Sequence, residues 1–390
     1  MAKRVKRPEP KRGIAEAIAA CRDQFGKKPL FLASNRRYIP MRHPGLARLL
    51  GGQRHVGLPS GTYIEVLGQE HSGKTTLAFA LIDAVINQPE GEHMIHTEKG
   101  VEKVPVPRKV LYMDFEQTLD TDYLRNAVPG AALLQVDERT GKPLNLDEAN
   151  VLVHQPDTLD EGCDIMLAMI ESAEVGLVVL DSVAAMLTEE ERAKRMGENT
   201  VGVHARQMGK FFRKSAHVIR RYGVTVCAIN QWRDKIGVSF GDPRTAPGGK
   251  SGPYWHSIRL DVSGPKKTEW FPGEGKVCNI KAIKNKVSGV RGTATYHLRN
   301  GWGLSAEVEL FQMGVAAGVV KESGGRTVQV PRKGNDALKY RDKHSFVVAL
   351  RKSPKLFESI KKACITRGVD CAAYQDPDER IGRSVGWEDA

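Results

Sequence analysis

The chain has 390 residues, 41% of them apolar and 27% charged, with a formal net charge of +13. This length suits one large α/β domain with smaller appendages, and no stretch is apolar enough to predict a membrane span. The six cysteines show neither a C-x-x-C pair nor the spacing of a zinc site. Free thiols in a reducing compartment, the cytoplasm, are therefore expected.

The positive charge is concentrated near the N-terminus, where residues 1–58 hold fourteen Lys and Arg against three acidic residues. This asymmetry favours a polyanionic partner, nucleic acid before a membrane surface, and a solvated basic face is the alternative. Residues 1–12 have the composition of a disordered basic arm. Residues 13–58 contain an amphipathic helix at 13–25 and a short strand at 28–34 that cannot form a core alone, so they are expected to dock either on their own chain or on a neighbouring subunit.

Residues 68–76, GQEHSGKTT, have the G-x-x-x-x-G-K-[ST] spacing of a phosphate-binding P-loop. An apolar strand at 63–67 precedes them and a helix at 77–85 follows, which is the setting that the motif needs. Glycines let backbone N–H groups face phosphates, the lysine reaches the β and γ oxygens, and the threonine hydroxyl can hold Mg²⁺. The predicted nucleotide-binding residues are Gly68, Gln69, Glu70, His71, Ser72, Gly73, Lys74, Thr75 and Thr76.

Strands and helices alternate through the middle of the chain, which predicts a doubly wound, mostly parallel sheet with its ligand at the carboxyl ends of the strands. The segments before the first core strand, 44–52 and 57–61, are expected to be turn-rich, and 87–108 a loop or small hairpin. Further strands are expected at 109–115, 150–154, 175–181 and 222–231, with a helix at about 203–221.

Alternating short runs after residue 258 predict antiparallel strands that extend this sheet, at 258–262, 276–284, 292–298 and 305–309. The core domain, which comprises the parallel sheet and its antiparallel extension, is then expected to cover 59–304. Helical stretches near 306–317, 335–351 and 354–367 predict a small α+β C-terminal domain with a tail over 305–390.

Acidic and amide side chains end three of the predicted strands. Asp181 follows the apolar run LVVL and has the Walker B pattern, an acid that holds a metal-bound water. Asp114 and Glu116 are spaced to share one face of a strand end, and a carboxylate there is a general-base candidate; a plain acidic strand cap is the alternative. Gln231 ends a further strand and can sense a γ-phosphate through hydrogen bonds.

Two segments mix basic, apolar and glycine residues, 191–200 and 232–252. Such a composition suits loops that contact a nucleic-acid backbone. Two solvated surface loops are the alternative.

The order and spacing of these blocks resemble the RecA/RadA family of DNA strand-exchange ATPases, closest to its bacterial branch, over about 14–317. The blocks that carry the resemblance are GQEHSGKTT, MDFEQTLDTDY, QPDT, LDSVAAM, INQWRDKIGVSFGDP, SIRLDV and IKNK, which begin at 68, 113, 155, 180, 229, 257 and 283. The resemblance implies a RecA-like P-loop ATPase core. It also implies that residues 13–58 are an oligomerisation segment with a linker, whose helix and strand dock on the adjacent protomer.

The resemblance assigns roles residue by residue. It implies Glu116 as the catalytic carboxylate, Gln231 as the residue that reports γ-phosphate occupancy to DNA, and Lys284 and Lys286 as cations that reach a neighbour's ATP. Nucleotide contacts are also implied for Asp120 and Tyr123, with Mg²⁺ at Thr75 and, through water, at Asp181. The two DNA-binding loops that it implies lie at about 191–201 and 232–249. The implied DNA-binding residues are Arg195, Met196, Val201, Arg206, Arg213, Arg233, Lys235, Ile236, Gly237, Arg244, Gly248, Gly249 and Lys250.

The function implied is ATP-dependent homologous recombination, with ATP and Mg²⁺ as cofactors, in a bacterium or an infected host cell. The partners would be single- and double-stranded DNA, further copies of the chain in a helical filament, and possible loading proteins, with no membrane. Two alternatives stay open: a recombination mediator that binds ATP and DNA without strand exchange, and a ring-forming helicase motor.

Some positions depart from the family's pattern. Arg244 stands where the bacterial pattern is acidic, Tyr254 replaces a phenylalanine that relays between subunits, and His71 takes a position where small residues are usual. The segments 87–108 and 130–149 are longer than the family's equivalents.

Overall fold

A computed structural model describes residues 36–366 and the isolated Ala19. The exceptions within that range are 53–54, 98–99, 196–197, 199, 201, 235–243, 250, 267–272, 324–326 and 331–337. The predicted N-terminal arm, helix and strand, and the tail after 366, lie outside the described residues.

The β-structure of the described residues comprises one large sheet and four small ones. Its strands in chain order are β1 (Tyr38–Ile39), β2 (Leu58–Pro59), β3 (Tyr63–Gly68), β4 (Glu92–Thr97), β5 (Gly100–Pro105), β6 (Lys109–Asp114), β7 (Val151–His154), β8 (Val175–Asp181), β9 (Thr225–Gln231), β10 (Arg233–Asp234), β11 (Arg244–Thr245), β12 (Ile258–Lys266), β13 (Gly275–Asn285), β14 (Thr293–Arg299), β15 (Gly303–Leu304), β16 (Lys321–Ser323), β17 (Thr327–Val330) and β18 (Leu338–Tyr340).

The helices form the second component of the described chain. They are α1 (Pro44–Gly51), α2 (Lys74–Ile86), α3 (Thr121–Ala127), α4 (Leu159–Glu171), α5 (Glu189–Ala193), α6 (Val203–Tyr222), α7 (Gly252–Trp255), α8 (Ala306–Ala316), α9 (Lys343–Lys352) and α10 (Pro354–Thr366), with a 3-10 turn at Val183–Ala185. Within the described residues, none of these helices has the length and apolar character that a bilayer crossing requires.

The large sheet has nine strands among the described residues, in the order β15-β14-β13-β12-β3-β9-β8-β6-β7. From β12 to β7 neighbouring strands run parallel, and β13 to β15 continue the sheet antiparallel. The mostly parallel sheet flanked by helices confirms the predicted α/β class. The hairpin β4–β5, which occupies the longer 87–108 segment, packs beside α6.

Alternate residues of the central strands belong to two separate hydrophobic cores, because successive side chains of a strand point to opposite faces of the sheet. One face packs Val66, Tyr112 and Val179 against α1 and α2. The other packs Leu111 and Val178 against α4 and α6. A third cluster joins α8, α9 and α10 to β17, which agrees with a small α+β C-terminal unit.

Two predicted elements are wrong in type. The expected strand at 305–309 is the start of helix α8, which Ser305 caps by accepting a hydrogen bond from Val308 N. This helix confirms the helical stretch also expected near 306–317. Every residue of 306–314 is buried, so apolar residues at every second position reflect a helix buried all round rather than a strand. The segment 44–52 is helix α1 and not turn-rich, because Pro44 fits a first helical turn and Leu46, Leu49 and Leu50 share one buried face.

Two boundaries also differ. The helix expected at 335–351 begins only at Lys343, after the N-cap Asp342, and residues 338–340 form strand β18. Likewise α6 extends to Tyr222, and Gly223 ends it with a φ of 69° before β9 begins. In both places the cap residue, Asp342 at the start of one helix and Gly223 at the end of the other, marks the boundary better than hydrophobic periodicity does.

Candidate functional site

The carboxyl ends of four parallel strands meet at one edge of the sheet. Gly68 at the end of β3 pairs with Gln231 at the end of β9, and Asp114 at the end of β6 pairs with Asp181 at the end of β8. Ligands of open parallel sheets bind at this edge. The register therefore brings the P-loop, the Walker B acid and the proposed phosphate sensor to one place.

The loop from Gly68 to α2 requires its glycines. Gly73 has a φ of +98°, and a Cβ there would lie 2.7 Å from Leu298 Cδ1. A Cβ on Gly68 would lie 2.6 Å from Val262 O, so the backbone can pass only without a side chain. His71 also has a positive φ, 56°, and its side chain is exposed, so the imidazole points away from the core.

The Lys74 amine is held inside the loop by the chain itself. Its Nζ donates a hydrogen bond to Gln69 O at 2.6 Å. Burial lowers the pKa of Lys74, while the nearby carboxylates of Asp181, Glu116 and Glu70 raise it. The Lys74 ammonium thus lies among carboxylates and a backbone carbonyl. An incoming phosphate would replace Gln69 O as its hydrogen-bond acceptor.

Asp181 is a buried carboxylate, 6% exposed, at the end of β8. Tyr112 OH donates to its Oδ2 at 2.5 Å, and Thr75 Oγ1 donates to the same atom at 3.2 Å. Burial raises the pKa of Asp181 to about 6, against the effect of the Tyr112 hydrogen bond. A cation beside this group would keep it ionised, and hydroxyl and carboxylate oxygens are the ligands that Mg²⁺ prefers, so the residues fit Mg²⁺.

Asp114 and Glu116 have different surroundings, although the sequence places them two residues apart. Asp114 is buried and accepts hydrogen bonds from the backbone N–H groups of Thr118 and Leu119 and from Gln155 Nε2. It therefore stabilises the turn after β6. Glu116 lies beyond the strand and is half-buried, and its Oε1 accepts a hydrogen bond from Ser182 Oγ. Glu116 is the acid left facing the P-loop edge.

A cavity of about 330 Å³ opens beside the P-loop and is lined by Lys74, Thr75, Tyr123 and Arg299, among others. Tyr123 OH lies 2.6 Å from Thr76 Oγ1, which fixes the ring at the cavity wall. Asp120 caps α3 by accepting hydrogen bonds from the N–H groups of Asp122 and Tyr123. Asp120 thus positions Tyr123, and its own contact with a base stays a prediction.

A second cleft, of about 450 Å³, lies between the two predicted DNA loops. Its walls include Glu191 and His204 on the first-loop side and Arg233 on the second-loop side. Gly248 and Gly249 have φ values of 94° and 74°, and a Cβ on Gly249 would lie 2.7 Å from Ala205 Cβ. These glycines therefore let the end of the second loop pack on the start of α6.

The other predicted DNA contacts divide between described and undescribed residues. Arg195, Arg213 and Arg233 are exposed, and Arg206, 65% exposed, pairs with Glu190 at 2.5 Å. An exposed pair of this kind contributes little to stability and can exchange Glu190 for a phosphate. The remaining predicted contacts, Met196, Val201, Lys235, Ile236, Gly237 and Lys250, lie outside the described residues.

Arg244 lies in the stem of the second loop and contacts two neighbouring side chains there. Strands β10 and β11 pair across the stem. Arg244 NH1 donates to Asp261 Oδ2 at 3.0 Å, and Trp232 Nε1 donates to Asp261 Oδ1 at 2.8 Å. The Arg244 guanidinium also lies 4.6 Å from the centre of the Trp232 ring. Arg244 thus closes the stem, and its DNA contact stays a prediction.

Lys284 and Lys286 lie at the other end of the sheet, where β13 ends. Lys284 Nζ donates to His256 O at 2.6 Å and also to Pro253 O, whereas Lys286 is exposed. Asn285 between them is buried and donates to Leu49 O and Leu50 O, both at 3.0 Å. This amide fixes the strand end to α1 and so positions both lysines.

Comparison with known proteins decides the family. The profile of the RecA N-terminal domain matches residues 131–305. Protein RecA of Lactococcus lactis subsp. cremoris is 34% identical over 323 residues, covering 80% of this chain and 74% of the relative. Protein RecA of Mycobacteroides abscessus is 32% identical over 320 residues, covering 81% and 82%. The chain belongs to the RecA family of recombinases.

Sequence reasoning missed several residues that support this RecA-family site. Tyr112 and Ser182 hold Asp181 and Glu116, and Asn285 holds the two lysines. Glu65 was missed as well, although a charged residue inside the apolar strand YIEVLG is a signal that a buried partner exists. For Tyr112 the sequence offers no signal, because it looks like any apolar strand residue.

Proposed function

We propose that this RecA-family chain polymerises on single-stranded DNA with ATP at each subunit interface, pairs that strand with homologous duplex DNA and exchanges the strands. ATP hydrolysis then releases the filament. DNA and further copies of the chain are the partners of this activity.

The pairing of Gly68 with Gln231 carries the proposal. Gln231 is the last residue of β9, and the second loop begins at the next residue, Trp232. A half-buried amide directly beside the P-loop can hydrogen-bond the γ-phosphate and lose that bond on hydrolysis. Because the second loop begins one residue after Gln231, a change in this hydrogen bond acts directly on the start of the loop.

The chain's own residues supply the steps of hydrolysis. Lys74 leaves Gln69 O and binds the phosphate oxygens, and Glu116, held by the hydrogen bond from Ser182, takes a proton from the water that attacks the γ-phosphorus. The bond between the γ-phosphorus and the bridging oxygen breaks, and ADP leaves with that oxygen. Thr75 and Asp181 would hold Mg²⁺, which neutralises phosphate charge when bound. Tyr123 forms a wall on which a base can lie.

Lys284 and Lys286 are proposed to complete the site of a neighbouring subunit. Lys284 pairs with Arg259, and Asn285 with Ile258; these partners lie beside Glu65 and Ile64 of β3. The distance from Glu65 or Ile64 to Gly68 is about 10 to 13 Å along β3, so the two lysines are remote from the P-loop of their own chain. Exposed Lys286 and Tyr254, the latter 77% exposed, suit contact with another protomer instead.

DNA-stimulated ATP hydrolysis is expected to fall as the pH rises above about 8. Burial lowers the pKa of Lys284 to about 8, with Lys286 and Arg259 acting in the same direction and Glu65 opposing them. The cation is therefore present below this pH and lost above it. Rates measured from neutral to alkaline pH check this, and Lys284→Arg, which stays charged, should abolish the alkaline decline. Identical profiles for both proteins would contradict the role of Lys284.

Electron microscopy of the protein with single-stranded DNA tests the proposal. With a slowly hydrolysed ATP analogue we expect continuous helical filaments on the DNA, and without nucleotide only sparse, irregular binding. Closed rings in both conditions would support the helicase alternative and overturn the proposal.

A further inference from the structure

Glu65 places a charged group inside strand β3, three residues before the P-loop begins. Its side chain is 2% exposed, and a buried carboxylate is costly unless it is paired. Arg259 Nε donates to Oε2 at 2.5 Å, and Asn230 Nδ2 donates to Oε1 at 3.0 Å. His256 Nδ1 lies 3.5 Å from Oε2. Both oxygens thus have partners on other strands or segments.

Asn230 connects this carboxylate to both ends of the second loop. Its Nδ2 also donates to Pro247 O at 3.0 Å, and its Oδ1 accepts a hydrogen bond from Gln231 N at 2.9 Å. Gln231 precedes the loop and Pro247 follows the stem strand β11. The single amide therefore holds the two ends of the loop together, and Glu65 fixes the orientation of that amide.

On its other side Glu65 faces the segment that holds Lys284. The buried His256 ring packs against the carboxylate, and His256 O accepts the hydrogen bond from Lys284 Nζ. Arg259, the ion-pair partner of Glu65, is also the register partner of Lys284 across β12 and β13. Arg259 and Lys286 lower the pKa of Lys284, and the Glu65 carboxylate raises it, so Glu65 favours the charged form of this lysine.

We propose that Glu65 is a positioning residue that couples the nucleotide site to the second DNA loop and to the interface lysine Lys284. The proposal rests on the proposed function, because it needs DNA to stimulate hydrolysis. Strand β3 ends at Gly68, so a displacement of the P-loop along this strand moves Asn230 and the Arg259–His256 segment together. A buried ion pair adds little net stability compared with apolar residues of the same volume, but removing one partner leaves the other charge buried and unpaired.

Glu65→Gln tests the coupling, because the amide keeps the size of the side chain and removes its charge. Without DNA, ATP affinity and basal hydrolysis should stay within about twofold of the wild type, because the P-loop is untouched. With DNA, kcat should fall about tenfold at unchanged KM for ATP, in the range of coupling between two sites. Basal and DNA-stimulated rates are measured on the full chain.

Glu307→Gln is the matched control. Glu307 is also a buried glutamate paired with an arginine, Arg42, at 2.5 Å, and it lies on α8, outside the contacts described for either DNA loop. Loss of a buried ion pair should lower the stability of both variants, but Glu307→Gln should keep its DNA stimulation. Equal loss in both variants, or stimulation retained in Glu65→Gln, would overturn the coupling.

A second variant guards against a folding defect in Glu65→Gln. Asn230→Ala leaves the ion pair of Glu65 and Arg259 intact but separates the two ends of the loop, so it should lose DNA stimulation as well. Stimulation retained in Asn230→Ala contradicts the proposal. If the wild-type protein shows no DNA stimulation at all, the proposed function fails first, and the coupling fails with it.

Discussion

Replacing Lys74 with alanine is expected to lower ATP hydrolysis at least about a hundredfold and to abolish nucleotide-dependent assembly on DNA. The Lys74 ammonium lies in the P-loop, buried, with Gln69 O as its hydrogen-bond acceptor and three carboxylates nearby. Alanine leaves the phosphate charge without its principal side-chain partner in the loop. Radiometric or coupled-enzyme assays of phosphate release measure the effect.

A matched lysine separates this effect from a loss of positive charge alone. Lys281 lies on β13 with an exposed side chain, so Lys281→Ala removes one charge without touching the P-loop. We expect it to hydrolyse ATP at nearly the wild-type rate. Hydrolysis by Lys74→Ala at a rate similar to that of Lys281→Ala would show that the P-loop assignment is wrong.

Glu116→Ala is expected to keep ATP binding and to slow turnover by about 10² to 10⁴, the range of a general base. Of the two acids at the carboxyl end of β6, only Glu116 is available, because Asp114 accepts hydrogen bonds from Thr118, Leu119 and Gln155. Filaments of the variant on DNA should therefore persist with ATP as they do with a slowly hydrolysed analogue. Single-turnover hydrolysis and equilibrium nucleotide binding measure the two properties separately.

The neighbouring acid provides the control for this prediction. Asp114→Asn should weaken the turn after β6 and so lower the melting temperature of the protein. Single-turnover hydrolysis by the folded variant should stay close to the wild-type rate. If Asp114→Asn stops chemistry and Glu116→Ala does not, the two roles are reversed.

Local motifs made much of the site predictable from sequence. The P-loop residues are adjacent in the chain, so their spacing alone predicts their geometry. Asp181, Glu116 and Gln231 follow from the rule that parallel strands end at one edge. The assignment of Lys284 and Lys286 came from the resemblance, because the charges themselves carry no information about a neighbouring subunit.

The other contacts of the site depend on which strands are neighbours in the sheet. The spacing of residues along the sequence does not determine this strand order. Glu65 meets Asn230 and Arg259 only because β3 lies between β9 and β12. The error at 305–309 has a similar cause: a helix buried on every side shows no polar face, so its periodicity is ambiguous. The sequence offered Arg244 as a DNA contact, whereas in the structure Asp261 and Trp232 lie beside it.

Formation of joint molecules from homologous single-stranded and duplex DNA tests the central proposal most directly. With ATP, the wild-type protein should convert these substrates to joint molecules and then to exchanged products, and Lys74→Ala should yield neither. A heterologous duplex should give no product in either case. Filaments that form on single-stranded DNA and yet produce no joint molecules with homologous duplex would contradict strand exchange and leave the mediator as the function.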